Sequence, residues 1–369
     1  MTHFHCAAIH HNVRFDPTPD SQVKIRPCCA YKTDQHYRNL NQYYASDEVQ
    51  QLQSATTWPD GCTLCQHQEA QNQTSFRQHA NASLEHVVGV RYELMPSNVC
   101  NLKCVMCAPG SSTALAKERF TIGTEIIDLS RENNTTTQQL EMLSQVNNIE
   151  SISIIGGEFF LTKGNLEIMD FVLARQIPLR IVTNATVILD SHLDRLKQIN
   201  DLELQISIDG YKEGYEIMRY PAVWDNFVNN TGSLIEQLPA ADINFNFVVQ
   251  ALNIQQLVPT LDWCNRQYRP TRVTNLVEPE YLGWQIFSET ERIEITNMLR
   301  DQCAQYKITP SQKKLVTTLC NTILAIKQNM DLRDTFESTI QTIYEHRWPA
   351  LRESNSHHMV RSHVFYPLN

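Results

Sequence analysis

The sequence predicts an α/β protein built on a parallel sheet, and three observations carry that prediction. Between residues 86 and 287, short β-branched runs alternate with amphipathic stretches, the pattern of consecutive βα units. Hydrophobic residues make up 42% of the 369 and charged residues 19%, which suits a sizeable core and excludes wholesale disorder. After residue 287 the strand-like runs stop and helical periodicity alone continues.

The expected strands are Val87–Leu94, Ser151–Ile155, Leu179–Thr183, Leu202–Ile208, Ile243–Val249 and Arg272–Val277. The helical patterns between them are Gln138–Val146, Leu166–Ala174, Leu189–Ile199, Trp224–Gln237 and Leu257–Tyr268. Six units of this kind fit either an incomplete barrel or an open parallel sheet, and the pattern alone does not choose. Ser288–Tyr306, Ser311–Lys327 and Leu332–Glu345 follow as helices, with Ser288 a cap before Glu289 and Glu291. A tail with His357, His358 and His363 ends the chain. The expected division is 1–82, 83–287 and 288–369.

Residues 1–82 are polar, rich in His, Gln and Asn, and show little periodicity. Such a segment makes a core with difficulty, and its five cysteines suggest a cluster as the staple. The formal net charge of −9 argues against broad contact with a phosphate backbone, although nucleic acid stays compatible through a local basic groove. The opening Met1-Thr2-His3-Phe4-His5-Cys6 lacks a basic start followed by an apolar run, so no signal peptide is expected. No apolar stretch approaches the roughly 20 residues that cross a bilayer. The expectation is a cytoplasmic protein without a membrane partner.

Eight of the eleven cysteines lie in the first 107 residues. Disulfide frameworks belong to short secreted chains, so close spacing here points to a metal or a cluster. Cys264, Cys303 and Cys320 fall singly in helical patterns and are expected as small buried residues. Cys100, Cys104 and Cys107 form C-x-x-x-C-x-x-C directly after an expected strand. Three thiolates in one loop can converge on one face of a [4Fe–4S] cluster. Three ligands leave the fourth iron open to a small molecule with amino and carboxylate groups. The competing interpretation is a zinc loop completed by a distant His or Cys.

The segment Ser97–Cys107 resembles the signature loop of the radical S-adenosylmethionine (SAM) superfamily, with Met106 where an aromatic residue is usual. Gly156-Gly157-Glu158 resembles the family's Gly-Gly-Glu, which holds the methionyl amine of the cofactor. Glycines permit close backbone approach, and carbonyls and a carboxylate accept hydrogen bonds from an ammonium group. Thr183-Asn184-Ala185-Thr186 is similar to Thr-Asn-Gly, with Ala185 in place of glycine. Ser207-Ile208-Asp209-Gly210 is similar to the Ser-x-Asp-Gly that contacts the cofactor. Arg219 stands where relatives place an arginine for the cofactor carboxylate, a task that suits a bidentate guanidinium; a surface-helix arginine is the plain alternative. Val249–Asn253 and Leu276–Pro279 resemble later strand ends. All these groups fall at C-terminal ends of expected strands, where parallel βα architectures collect their chemistry. The resemblance implies a partial (β/α)6 TIM-type barrel with an N-terminal auxiliary Fe–S segment and a C-terminal helical extension. It also implies cofactor contacts from Gly156, Gly157, Glu158, Thr183, Asn184, Ser207, Asp209 and Arg219.

Arg26-Pro27-Cys28-Cys29, Gly61-Cys62-Thr63-Leu64-Cys65, Glu69 and Ser75-Phe76-Arg77 resemble the "twitch" type of auxiliary-cluster segment, placed here before the barrel. The resemblance implies a second [4Fe–4S] cluster on Cys6, Cys28, Cys62 and Cys65. Cys29 competes with Cys28, and His10 or an open iron with Cys6. Structural zinc on the same cysteines is the alternative.

The chemistry implied by the resemblance is one-electron cleavage of SAM to methionine and a 5′-deoxyadenosyl radical, which abstracts a substrate hydrogen. An external reductant such as flavodoxin or ferredoxin is the implied partner. Auxiliary clusters in relatives accompany peptide or protein modification, so a peptide is the first expectation for the substrate. A nucleotide, nucleic-acid base or sugar is the second. A non-catalytic Fe–S or zinc-binding module is the alternative of another class, and such a module has no need of the cofactor-type residues.

Overall fold

The structure, a computed structural model, describes residues 4–353 apart from 19, 71–73, 85 and 277; of 348–353 it describes the backbone alone. At its centre is a sheet of eight strands: β1 (Asn12–Pro17), β2 (Val23–Arg26), β3 (Val90–Leu94), β4 (Ile149–Ile154), β5 (Leu179–Thr183), β6 (Leu202–Ser207), β7 (Asp242–Val249) and β8 (Thr271–Asn275). Their spatial order is β2-β1-β3-β4-β5-β6-β7-β8. The β1–β2 pair is antiparallel and every other pair is parallel.

β3 to β8 are the six strands expected from the β-branched runs. Val277, the expected end of the last one, lies outside the described residues, as does the tail with His357, His358 and His363. Burial alternates along β3, β5 and β7. Val90, Tyr92 and Leu94 of β3 and Ile243, Phe245, Phe247 and Val249 of β7 are buried in one continuous apolar core. The opposite face carries Arg91, Glu93, Arg180, Glu203, Gln205 and Asn244. These form a polar ladder in which Arg180 donates to Gln205 (2.9 Å), Gln205 to Asn244 (3.2 Å) and Asn244 to Glu203 (3.1 Å).

The sheet curls around that polar face. In a flat sheet β3 and β8 would stand five strand spacings apart, about 24 Å. Instead, Glu93 of β3 and Arg272 of β8 line one cavity of about 550 Å³ together with Ser151, Arg180 and Glu203. The edges β2 and β8 do not pair, so the curl is an incomplete barrel with a polar lumen.

The two strands β1 and β2 were not expected from the polar N-terminal composition. Val13 and Phe15 alternate with polar neighbours, as do Val23 and Ile25, and all four belong to the main core. Asp16 fixes this hairpin by accepting from Arg14 (2.7 Å) and Arg26 (2.6 Å). A second, smaller apolar cluster gathers Cys6, Ala8, Cys28, Tyr31, Cys65 and Leu84.

Beyond the sheet, helices span Glu289–Gln305, Pro310–Ala325 and Met330–Glu353. Ser288 caps the first of them in a reciprocal box with Glu291, as its position suggests, and Thr309 does the same with Gln312 for the second. Among the described residues no helix is long and apolar enough to cross a membrane.

Candidate functional site

The loop that leaves β3 carries Cys100, Cys104 and Cys107, and its backbone is tied down along its length. Val99 N–H donates to Ser97 Oγ (3.1 Å), Lys103 N–H to Tyr220 O (2.7 Å) and Val105 N–H to Met218 O (3.1 Å). The Ser112 hydroxyl donates to Leu102 O (2.7 Å) and caps the helix Thr113–Thr121 by accepting from Leu115 N–H (3.1 Å). Burial pushes the Cys100 thiol up to about 12, and the nearby Cys104 adds to it. Burial also raises Cys104 and Cys107, while the Arg219 guanidinium opposes it at both. The three thiols are near enough to disfavour one another's ionisation. A bound metal lifts that constraint, because thiolate ligands ionise on coordination.

The ends of β4, β5 and β6 close on this loop. Gly156 (φ +76°) and Gly157 (φ +55°) adopt left-handed backbone. A Cβ on Gly157 would stand 2.6 Å from Val99 O and 2.8 Å from Ser97 O. These glycines therefore let β4 lie directly against the cysteine loop. Glu158 N–H completes the junction by donating to Val99 O (2.7 Å). The Glu158 carboxylate is fully buried and accepts from Thr183 Oγ1 (2.5 Å), Asn184 N–H (2.7 Å) and Phe160 N–H (3.2 Å). It braces the end of β5. Burial raises its pKa, against the pull of those three donors.

Asn184 connects the brace to the sulfur. Its Nδ2 lies 3.8 Å from Cys100 Sγ and 3.2 Å from Asn101 Oδ1, while its Oδ1 accepts from Thr186. Ala185 holds φ +54°, a left-handed position, which explains the likeness to a motif with glycine there. Ser207 ends β6, buried, opposite Asn246. Asp209 is buried too, accepts from Val248 N–H (2.7 Å) and pairs with Arg219 at 2.6 Å. Arg219 Nη1 stands 3.9 Å from Cys104 Sγ. Its charge thus lies between a carboxylate and a cysteine of the loop, inside the protein rather than on a helix surface. Sequence reasoning missed Asn101, Thr186 and Tyr215. Tyr215 is packed under Trp224 and Phe227, and its hydroxyl has no partner among the described residues.

The N-terminal cysteines form a second group. Cys6 precedes the helix Ala7–His11, Cys28 follows β2, and Cys62 and Cys65 sit at the start of the helix Thr63–Ala70. Cys6, Cys28 and Cys65 are buried together, and Cys62 packs against them. Each is raised by burial first, and Cys6 and Cys65 add to the rise at Cys28 and Cys62. Cys29 is exposed and lies outside this buried cluster, and His10 is exposed too. Glu69 and Arg77 form a two-point ion pair (2.9 and 2.6 Å), and Arg77 also donates to His5 O (2.7 Å) beside Cys6. Among the described residues no three His, Cys, Asp or Glu side chains stand close enough to share one metal ion. In a [4Fe–4S] cluster, by contrast, each thiolate binds its own iron.

The two groups stand at opposite ends of the sheet. Pro27 O accepts from Asn12 Nδ2 (2.9 Å) at the start of β1, whereas Cys100 follows the far end of the neighbouring β3. Five residues of β3 span about 13 Å.

Residues 94–264, which hold the cysteine loop and every strand end described above as far as β7, match the family model described as the radical SAM superfamily. They form a radical SAM domain. No curated protein matches the chain by sequence. Among solved structures, SuiB from Streptococcus suis bound to SAM is 17% identical, with a TM-score of 0.43 over 70% of this chain and 57% of that one. Native anSMEcpe with bound AdoMet and the Cp18Cys peptide is 16% identical, with a TM-score of 0.42 over 59% of this chain and 62% of that one. The methyltransferase TsrM from Kitasatospora setae is 11% identical, with a TM-score of 0.38 over 54% and 38%. The chain spans less than two thirds of the length of each.

A radical SAM domain implies a [4Fe–4S] cluster and SAM, and the residues present fit both. Three thiols of one loop supply the cluster's donors. Arg219 Nε and the Tyr215 hydroxyl are buried polar groups without a hydrogen-bond partner among the described residues, beside that loop.

Proposed function

We propose that this chain is a radical SAM enzyme that cleaves SAM reductively and abstracts a hydrogen from a peptide or protein. The observation that carries the proposal is the placement of the three-cysteine loop at the C-terminal mouth of a curled parallel sheet, with Asn184 against the sulfur of Cys100 and Arg219 against that of Cys104. Cys100, Cys104 and Cys107 would hold the cluster. When bound, the cluster and SAM supply a 5′-deoxyadenosyl radical able to take hydrogen from an unactivated carbon.

The chain's own residues position and shield that chemistry. Arg219 places positive charge beside Cys104, which favours its thiolate. The Asn184 amide donates toward Cys100 Sγ, and hydrogen bonds to sulfur tune a cluster's potential. The carbonyls of Gly156 and Gly157 and the remaining acceptor site on Glu158 Oε2 are what this segment offers an ammonium group. Arg219 Nε and the Tyr215 hydroxyl are donors for carboxylate or ribose oxygens. Ser207 and Asp209 complete the set.

Cys6, Cys28, Cys62 and Cys65 would hold the second [4Fe–4S] cluster, with Cys28 rather than Cys29 as ligand. With four thiolates filled, electron transfer or a structural role suits it. The likeness of the N-terminal cysteine segment to the twitch type supports a peptide substrate.

The test is anaerobic reconstitution followed by a SAM cleavage assay. About eight irons per chain are expected, with 5′-deoxyadenosine formed under a low-potential reductant. Cys104→Ala should abolish cleavage, and Cys62→Ala should leave some uncoupled cleavage while losing product. Zinc in place of iron at the central loop would end the enzyme interpretation.

A further inference from the structure

The helix Met330–Glu353 inserts one arginine behind the cysteine loop. Arg347 is 2% exposed, and its partner Glu118 is 3% exposed. Nε of Arg347 stands 3.1 Å from both carboxylate oxygens of Glu118, and Nη2 stands 2.5 Å from Oε2. The same Nη2 donates to the carbonyl of Lys103 at 2.6 Å. Lys103 is the residue just before Cys104, and its Nζ also reaches Glu118 (3.4 Å). The guanidinium lies 5.1 Å from the Tyr220 ring centre, and Tyr220 O accepts from Lys103 N–H. Both polar atoms of the Lys103 peptide are therefore occupied, one by the segment after β6 and one by a helix 244 residues downstream.

This arrangement is costly unless it serves position. Burying an ion pair against apolar surroundings often gains nothing over apolar residues of the same volume. The neighbouring thiols, meanwhile, sit on a loop of only eight residues, in which a shift at Lys103 moves Cys104 directly. We propose that Arg347 is a positioning residue: its bond to the Lys103 carbonyl, steered by Glu118, makes docking of the C-terminal helix a condition for the loop to present its three sulfurs to a cluster. The inference rests on the radical SAM assignment of that loop. It adds that a residue far outside 94–264, Arg347, sets the geometry of the cluster site.

The test uses the full chain and three variants. Arg347→Met/Glu118→Leu removes the pair without leaving a buried charge, so it is the variant expected to stay folded. Arg347→Lys keeps the charge but not the fork, and Arg347→Met alone leaves Glu118 with Lys103 only. In the metal-free chain, amide exchange at Lys103 and Val105 should speed up about ten- to a hundredfold in the double variant, the weight of one charge-assisted hydrogen bond. Exchange in the strands should stay unchanged. In the reconstituted chain, the SAM-responsive EPR signal of the reduced cluster should broaden and shift in midpoint potential, with Arg347→Lys intermediate. A double variant with wild-type exchange at Lys103 and Val105 and a wild-type, SAM-responsive signal overturns the proposal. A wild-type chain that binds iron without any SAM-responsive signal overturns the radical SAM assignment instead, and the exchange result then stands as a loop anchor alone.

Discussion

Glu158→Gln offers a direct test of whether that carboxylate braces the site or only waits for a ligand. Oε1 accepts from Thr183 Oγ1 and Phe160 N–H, and Oε2 accepts from Asn184 N–H. Glutamine has the same shape but only one acceptor oxygen. If its NH2 takes the Oε1 place, the rotatable Thr183 hydroxyl can turn to accept, yet Phe160 N–H is left facing a donor. If the NH2 takes the Oε2 place, Asn184 N–H is left instead. Either orientation strands one buried backbone N–H, whichever protonation state the native carboxyl holds. One such orphan costs about 1–3 kcal/mol, and a loss in that range is expected. The assay is urea unfolding of the metal-free protein at neutral pH, in the absence of SAM. The variant should unfold at a lower midpoint with an unchanged slope. A metal-free variant within about 0.5 kcal/mol of wild type would refute the brace, since a purely ligand-facing group contributes nothing before the ligand binds.

Other expectations follow from the same geometry. Gly157→Ala should destabilise by about 3 kcal/mol and release iron faster, because a left-handed Ala costs about 1–2 kcal/mol and its Cβ meets the Val99 and Ser97 carbonyls. Ala185 already tolerates φ +54° in this chain, so an effect below about 1 kcal/mol would show that the collision is relieved without loop movement. The metal-free protein should lose stability as pH rises above about 9. Cys100 is held up to about 12 when folded, while the unfolded thiol ionises near about 8.5, so the unfolded state sheds its proton first. The fall is up to about 1.4 kcal/mol per pH unit for this thiol, and Cys100→Ala should lessen it. Urea midpoints that hold steady from pH 8 to 10 in wild type would contradict this.

Much of the architecture was legible because it rests on local pattern. The β3–β8 run follows from β-branched segments of period two, and the Ser288 cap from three adjacent residues. The two early strands were legible in principle, since Val13, Phe15, Val23 and Ile25 alternate, but a His-, Gln- and Asn-rich composition masked runs of only four to six residues. The cysteine loop stood out by its spacing, and the polar residues at the strand ends by their resemblance to the family's motifs; parallel strands bring such ends to one mouth.

What the sequence by itself determined is the set of chemical groups and their order along the chain: three thiols in one loop, then Gly156-Gly157-Glu158, Asn184, Asp209 and Arg219. What each group does was decided by partners that local spacing does not encode. Glu158 is bonded by Thr183 and Asn184, Arg219 by Asp209 and Cys104, and Cys28 rather than Cys29 is buried with Cys6 and Cys65. Arg347 reaches Glu118 and Lys103 across more than 200 residues. Hydrogen bonds and ion pairs act over about 3 Å, so a residue's role is fixed by which neighbours the folded chain brings that close.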